Sequence, residues 1–372
     1  MTLAATLAVF AYGLMSPLLG VLLPTYSLTP GQQGILGLAQ ALGMVIASLS
    51  AGPLVDLKGN KPALLLGLAL VAASLFAAPS AGGYAGLLAV YFLLGIGGGI
   101  IVTGANSLVG AVSSERRAAA LNFLNLFFGL GGILTTAAAS YFLAPRALCY
   151  AVASVTIGAL LVNFAVSMPA PSGQLAFRVS EVPALLSQPA LILLSFFLFL
   201  YVACEVSVWI WLKTYLISLH FDPQTAGGVI SYGFAFGILT GRLLIARFLN
   251  VPALTLLLAA SVLIGVTSVA VLTLQSAASI TVAVFCMGLS MAPVFPSTLA
   301  LVGDNFRRGT ATAMGIAITS GWIGLAVSSP LIGAVASAAS LRQALLLLPC
   351  FAAAMVLVNL VLKANLRSPV TL

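Results

Sequence analysis

Tyr201, Glu205, Trp209 and Lys213 recur every four residues, so a helix would carry an acid, two aromatics and a base on one face. Of the six acidic residues, only Glu205 lies deep within a long apolar run, Ala190 to Leu219. A carboxylate at the centre of such a helix costs about 2.5 to 3.5 kcal/mol to insert and is expected to face a protein interior or a watery cavity, as an ion or proton site. Lys213 is two turns away, about 12 Å along the axis, and cannot neutralise Glu205 within that helix. Tyr201 and Trp209 have rings that could stack on a sugar, with a hydroxyl and an indole N–H for directional bonds. Asn122 and Asn125 on the fifth helix, Asn106 on the fourth and Gln40 on the second offer donors and acceptors suited to hydroxyls. Trp322, beside Gly321 and Gly324, completes the candidate substrate contacts. The alternative for each amide is helix-to-helix hydrogen bonding, and for the aromatics plain packing. Trp211 and Tyr215 lie on another face and are expected to anchor the helix at the membrane interface.

The elements that must position these groups follow from composition. Hydrophobic residues make up 62% of the 372-residue chain and charged ones 5%, against roughly 25% charged in soluble domains. This predicts an all-α integral membrane protein. Twelve apolar runs are each long enough to span: Leu3 to Leu23, Gly31 to Val55, Ala63 to Ala78, Tyr84 to Val112, Ala118 to Leu143 and Ala147 to Met168, then Ala190 to Leu219, Thr225 to Phe248, Ala253 to Leu274, Ala278 to Val302, Thr310 to Ala336 and Arg342 to Leu362. None has the alternation of a barrel strand. The first run lacks a basic leader and cleavage pattern and reads as a retained helix.

With both termini cytoplasmic, Lys58, Lys61, Arg116, Arg117, Arg178, Arg242, Arg247, Arg307, Arg308, Lys363 and Arg367 fall inside, and Arg146 and Arg342 outside. The net charge of +8 is therefore a topology signal and no sign of a nucleic-acid partner. Cys149, Cys204, Cys286 and Cys350 lie within apolar runs without metal-ligand spacing, so neither a disulfide framework nor a metal site is expected.

The second half repeats the first. Phe92-Leu93-Leu94-Gly95 matches Phe285-Cys286-Met287-Gly288, Val109-Gly110 matches Val302-Gly303, and Arg116-Arg117 matches Arg307-Arg308. Two parallel six-helix bundles are expected, residues 1–168 and 190–372, joined by a cytoplasmic linker over 169–189, part of which (Leu175 to Leu186) could form a short surface helix.

Gly52-Pro53-Leu54-Val55-Asp56-Leu57-Lys58-Gly59-Asn60-Lys61, between the second and third spans, resembles the G-x-L-x-D-R-x-G-R-K signature of the major facilitator superfamily. The resemblance implies that this loop, with Asp56, Lys58, Lys61, Arg116 and Arg117, gates the cytoplasmic side; Arg242, Arg247, Asp304, Arg307 and Arg308 are candidate partners of Asp56. Tyr201-Val202-Ala203-Cys204-Glu205-Val206-Ser207, Met291-Ala292-Pro293-Val294-Phe295-Pro296 and the stretch from Glu115 to Gly129 are similar to segments of the fucose, glucose and galactose permease branch. That likeness implies cation-coupled sugar uptake.

Other motifs are discounted. Gly95-Ile96-Gly97-Gly98-Gly99 has no preceding strand to make it a nucleotide loop, Gly233, Gly237 and Gly241 read as a helix-packing edge, and His220 reads as a loop residue. The expectation is a carrier working by alternating access, a proton-coupled symporter of a monosaccharide or similar small polar solute, with sodium as the other candidate ion and no cofactor. It is expected to act as a monomer in a bacterial inner membrane. The competing readings are a drug or lipid exporter and a non-transporting substrate sensor; no nucleophile and base converge to suggest an enzyme.

Overall fold

The computed structural model describes residues 1–112, 117–168, 187–245, 251–306 and 310–365, though not every side chain within these ranges, those of 52–53, 56–57, 107, 110–112, 117–119, 122 and 310–312 being outside the description. The linker residues 169–186, with the surface helix expected there, and Arg116 lie outside the described residues. Twelve helices are long and apolar enough to cross a membrane: α1 (Thr2–Thr25), α2 (Pro30–Ala51), α3 (Asn60–Ser80), α4 (Gly83–Asn106), α5 (Phe123–Tyr141), α6 (Pro145–Ala165), α7 (Pro189–Ser218), α8 (Pro223–Ile245), α9 (Ala253–Thr273), α10 (Ala277–Asn305), α11 (Ala313–Ala338) and α12 (Leu341–Asn365). The described residues contain no strand, and the chain is a multi-pass membrane protein. Its outer surface exposes side chains such as Leu263, Val266, Val282 and Leu357, which suit a hydrocarbon surrounding.

Local sequence sets the helix ends. Pro30, Pro145, Pro189 and Pro223 stand in the first turn of α2, α6, α7 and α8, where a missing N–H leaves no bond unmade. Thr29 and Gln32 form a reciprocal capping box at the start of α2. Asp222 caps α8 by accepting from the N–H groups of Gln224 at 3.0 Å and Thr225 at 2.9 Å. Gly59 turns the chain from α2 into α3 at φ 85°, a left-handed backbone that glycine adopts without a Cβ penalty. Gly52, the first residue of the same signature, lies within the helix Pro30–Lys58.

Four spans are discontinuous, α12 among them, between Ala344 and Leu347. The helix in α1 stops at Met15 and resumes at Leu18, after Ser16-Pro17. In α10 the break falls at Ala292-Pro293. Both follow from proline's missing donor and its clash with the preceding turn. In α8 the segment Val229–Ala235 is wound as a π-helix, a form that concentrates at functional sites.

Packing repeats at an interval of six helices. In the first six spans α2 packs on α4, α3 on α4 and α6, and α1 on α5 and α6; in the last six α8 packs on α10, α9 on α10 and α12, and α7 on α11 and α12. The contacts match atom for atom at two crossings. Gly43 meets the carbonyl of Phe92 and Gly237 that of Phe285, while Gly95 meets the carbonyl of Gln40 and Gly288 that of Phe234. The run from Gly95 to Gly99 therefore lets α4 approach several neighbours at once: Gly95 faces α2, Gly97 meets Val71 of α3, and Gly98 meets Tyr12 and Met15 of α1. Across the two sets, α2 packs on α11, α5 on α8, and α1 on α7.

Candidate functional site

A cavity of about 620 Å³, mouth included, lies between the first six and the last six spans. One wall is Val9, Tyr12 and Ser16 of α1, Asn106 of α4, and Asn125 and Phe128 of α5. The facing wall is Val202, Glu205 and Trp209 of α7, Arg242 of α8, Phe295 of α10 and Trp322 of α11. Ser16 and Phe295 sit beside the two proline breaks, so the interruptions open backbone next to the cavity.

Among the described residues of this lining, Glu205 is the one carboxylate and Arg242 the one cation. Glu205 lies within electrostatic reach of Arg242 and beside the Tyr201 hydroxyl and the Trp209 indole. Yet four buried donors around it, Tyr201 Oη, Trp209 Nε1, Trp322 Nε1 and Arg242 Nε, make no well-formed hydrogen bond within the protein, Glu205 being the near acceptor for Tyr201 and Trp209. A buried donor left unmet costs about 1–3 kcal/mol, so a cluster of them is a polar surface shaped for something other than its own fold. Asn106 and Asn125 direct their amide N–H to the carbonyls of Val102 and Leu121 on their own helices, each at 2.8 Å. Their side-chain oxygens are thereby left as the acceptors.

Arg242 is the group that sequence reasoning placed wrongly. Counted among the inner-side charges and as a partner for Asp56, it is instead buried, 6% exposed, in the cavity wall. Its Nη1 donates to the backbone carbonyl of Asn125, and its guanidinium lies 5.2 Å from the centroid of Phe128. The signal available was its place three residues before the end of the described helix, within reach of the interior for so long a side chain.

The other expected contacts divide. Asn106, Asn125, Trp209 and Trp322 share the cavity with Glu205. Tyr201 is fully buried behind Glu205 and is not part of the lining. Gln40 is apart, its amide turned to Met15 Sδ at 3.7 Å. The side chain of Asn122 lies outside the described residues. Of the gate residues, Asp56, Arg116 and Arg117 also fall outside what is described; Lys58 is exposed, and Lys61 sits 5.7 Å over the ring of Phe164 in α6. Trp211 and Tyr215 are buried at 0% and 1% exposure, so they do not face lipid as interface anchors would.

The cavity is closed on one side. At the ends remote from both termini, α1 meets α7 and α11 meets α2 at backbone contact distance, while α5 meets α8 through Ser140 and Tyr141. A methyl group on Gly20 would overlap the Trp209 carbonyl, one on Gly37 the Ser329 side chain, and one on Gly227 that of Ser140. Ser329 Oγ donates to the Gly34 carbonyl at 3.1 Å, and buried Lys213 donates to that of Val21 at 3.3 Å. Trp209 lies beneath this seal, edge-on to Phe234 at 4.9 Å and packed on Gly132. Glu205 is about 20 Å along α7 from the sealed end and about 24 Å from the other, near mid-span.

A family model described as Major Facilitator Superfamily matches residues 1–317. The chain belongs to the major facilitator superfamily. It is accordingly a transporter and not an enzyme. Solved structures repeat the fold over its whole length. A D-xylose-proton symporter is 14% identical at a TM-score of 0.78, covering 97% of this chain and 96% of its own. The E. coli fucose:proton symporter is 17% identical at 0.70, covering 97% and 98%. A structure described as the superfamily transporter FucP in the outward conformation is 18% identical at 0.71, with the same coverage. No match was found among curated proteins. Within this superfamily member, the closed seam and the cavity beneath it are the two regions in which the sets of six helices meet.

Proposed function

We propose that this superfamily member is a proton-coupled symporter of a monosaccharide or similar small polar solute, working by alternating access in a bacterial inner membrane with both termini cytoplasmic. The observation that carries this reading is the Glu205 carboxyl, set in a cavity between the two sets of helices beside buried donors that the protein leaves unmet. The structural neighbours named as sugar:proton symporters favour the same class of solute and ion. On this reading the seal closes the outer face, and the cavity is the inward-directed half of the cycle. Glu205 takes a proton on the outer side, solute settles among Trp209, Asn106, Asn125 and Trp322, and the two bundles, residues 1–168 and 190–372, rock to release both.

Reconstituted vesicles test the coupling. With Glu205→Gln, solute exchange at equal concentrations should persist, while accumulation driven by a pH gradient should fall to the level of passive equilibration. Undiminished uphill accumulation by the variant would exclude Glu205 as the coupling group. Uptake that follows a sodium gradient and ignores a pH gradient would assign the ion differently.

A further inference from the structure

Arg242 is held firmly but not neutralised. Its Nη1 is bonded to the Asn125 carbonyl and its plane is packed over Phe128, which together fix the direction of the fork. Its Nε, although buried, has no partner, and Glu205 acts on it only through space. Neutral hydroxyls need only the amide oxygens and indole N–H groups already present; a pre-aimed guanidinium with a free edge matches a carboxylate, which it binds through paired, charge-assisted bonds. Deepening the reading of this site as a proton-coupled sugar carrier, and resting on it, we propose that the solute is a sugar acid, a polyhydroxylated monocarboxylate whose carboxylate binds Arg242 when Glu205 is protonated.

The charges of the lining make the coupling. With Glu205 ionised, the cavity holds one negative and one positive group, and a second carboxylate meets repulsion from the first. With Glu205 protonated, Arg242 is the sole charge among the described lining residues. Among the described residues, the groups facing Glu205 are Tyr12 from α1, Tyr201 and Trp209 on α7 itself, and Arg242 from α8. The lining residues from α4, α5, α10 and α11 carry no ionisable side chain. Proton and anion thus favour each other's binding, and linkage requires the effect to be reciprocal. One anion enters with one proton, so the loaded carrier gains no net charge.

The test is binding to the purified full-length protein, read by thermal shift and by proton uptake in weak buffer. The probes are glucuronate, galacturonate and gluconate against glucose and galactose. Between about pH 5.5 and about pH 7.5 the affinity for at least one acid should fall by up to about tenfold per pH unit, with close to one proton taken up per ligand. The parent neutral sugars should bind at least about tenfold more weakly at the lower pH. Glu205→Gln should bind the acid with little dependence on pH, and Arg242→Gln should lose the preference for acid over neutral sugar. Should Arg242→Gln not fold, the wild-type ligand comparison and Glu205→Gln decide the matter. Neutral sugars bound with proton uptake, and acids not, would overturn the sugar-acid assignment while leaving a proton-coupled sugar carrier standing. Binding of neither class would overturn both.

Discussion

The seam between the two sets of six helices is built in two opposite ways. On the sealed side Gly20, Gly34, Gly37 and Gly227 bring backbone against backbone or small side chain, and the polar groups that remain, Ser329 and Lys213, are spent on carbonyls of the other set. Around the cavity the side chains are large, and four buried donors make no well-formed bond within the protein. A permanent interface would close both regions alike. On the alternating-access reading proposed above, a seam that closes tightly in one half and withholds its hydrogen bonds in the other serves a two-state device, in which the unsatisfied half gains most from a ligand and the tight half parts.

The strongest way to break this contrast is to crowd the seal. Gly20→Ala sets a methyl group into the Trp209 carbonyl, and overpacking of this kind costs about 1–3 kcal/mol. That strain exists only while the seal is closed, so the balance of states should shift by about 5- to 150-fold toward its opening. Spin labels at Gly82→Cys and Gln275→Cys, in the exposed turns after α3 and α9, should report a longer separation. An unchanged distance distribution would mean that the seal does not open in this way. Trp209→Phe probes the other half with a smaller effect. It removes an indole N–H that makes no well-formed hydrogen bond within the protein while retaining a ring beside Phe234 and Gly132. Solute affinity should weaken by about fivefold to tenfold, near 1 kcal/mol for one hydrogen bond, with label distances unaltered. Equal affinity in the variant would remove Trp209 from the list of solute contacts.

The sequence disclosed these two regions unequally. Twelve spans and the carboxyl of α7 are legible because apolar length and an isolated charge are local facts, read without knowing which helices are neighbours. The sealing glycines are not, since Gly37 and Ser329 meet only after ten helices are placed, and nothing periodic joins them. Arg242 failed for a related reason: charges near span ends are assigned to the nearest surface, whereas this long side chain runs back to Asn125 and Phe128. Gln40 failed in the other direction. An amide in a span reads the same whether it meets a solute or, as here, the sulfur of Met15. The breaks in α1 and α10 were visible as Pro17 and Pro293, but an apolar run gives no reason to divide the span there.

The smallest expected effect separates the regions most cleanly, because it touches the seal from outside the membrane. Asp222 caps α8, whose first turns hold Gly227 and Gly228 against Ser140 and Tyr141 of α5. The Thr225 hydroxyl and the N–H groups of Thr225 and Gln224 hold its carboxyl below the usual aspartate range. A carboxyl with a depressed folded value stabilises the fold fully above its unfolded value, about 3.9, and that contribution is lost as the pH falls through the folded value. Asp222→Ala should therefore lower the thermal midpoint slightly near neutrality, with the gap from wild type narrowing below about pH 4. Solute affinity in the cavity should stay as it was, since no lining residue contacts the cap. A gap that stays constant down the acid limb would show that α8 is held at this end by its packing on α5 alone, and that the charge on Asp222 adds nothing to the seal.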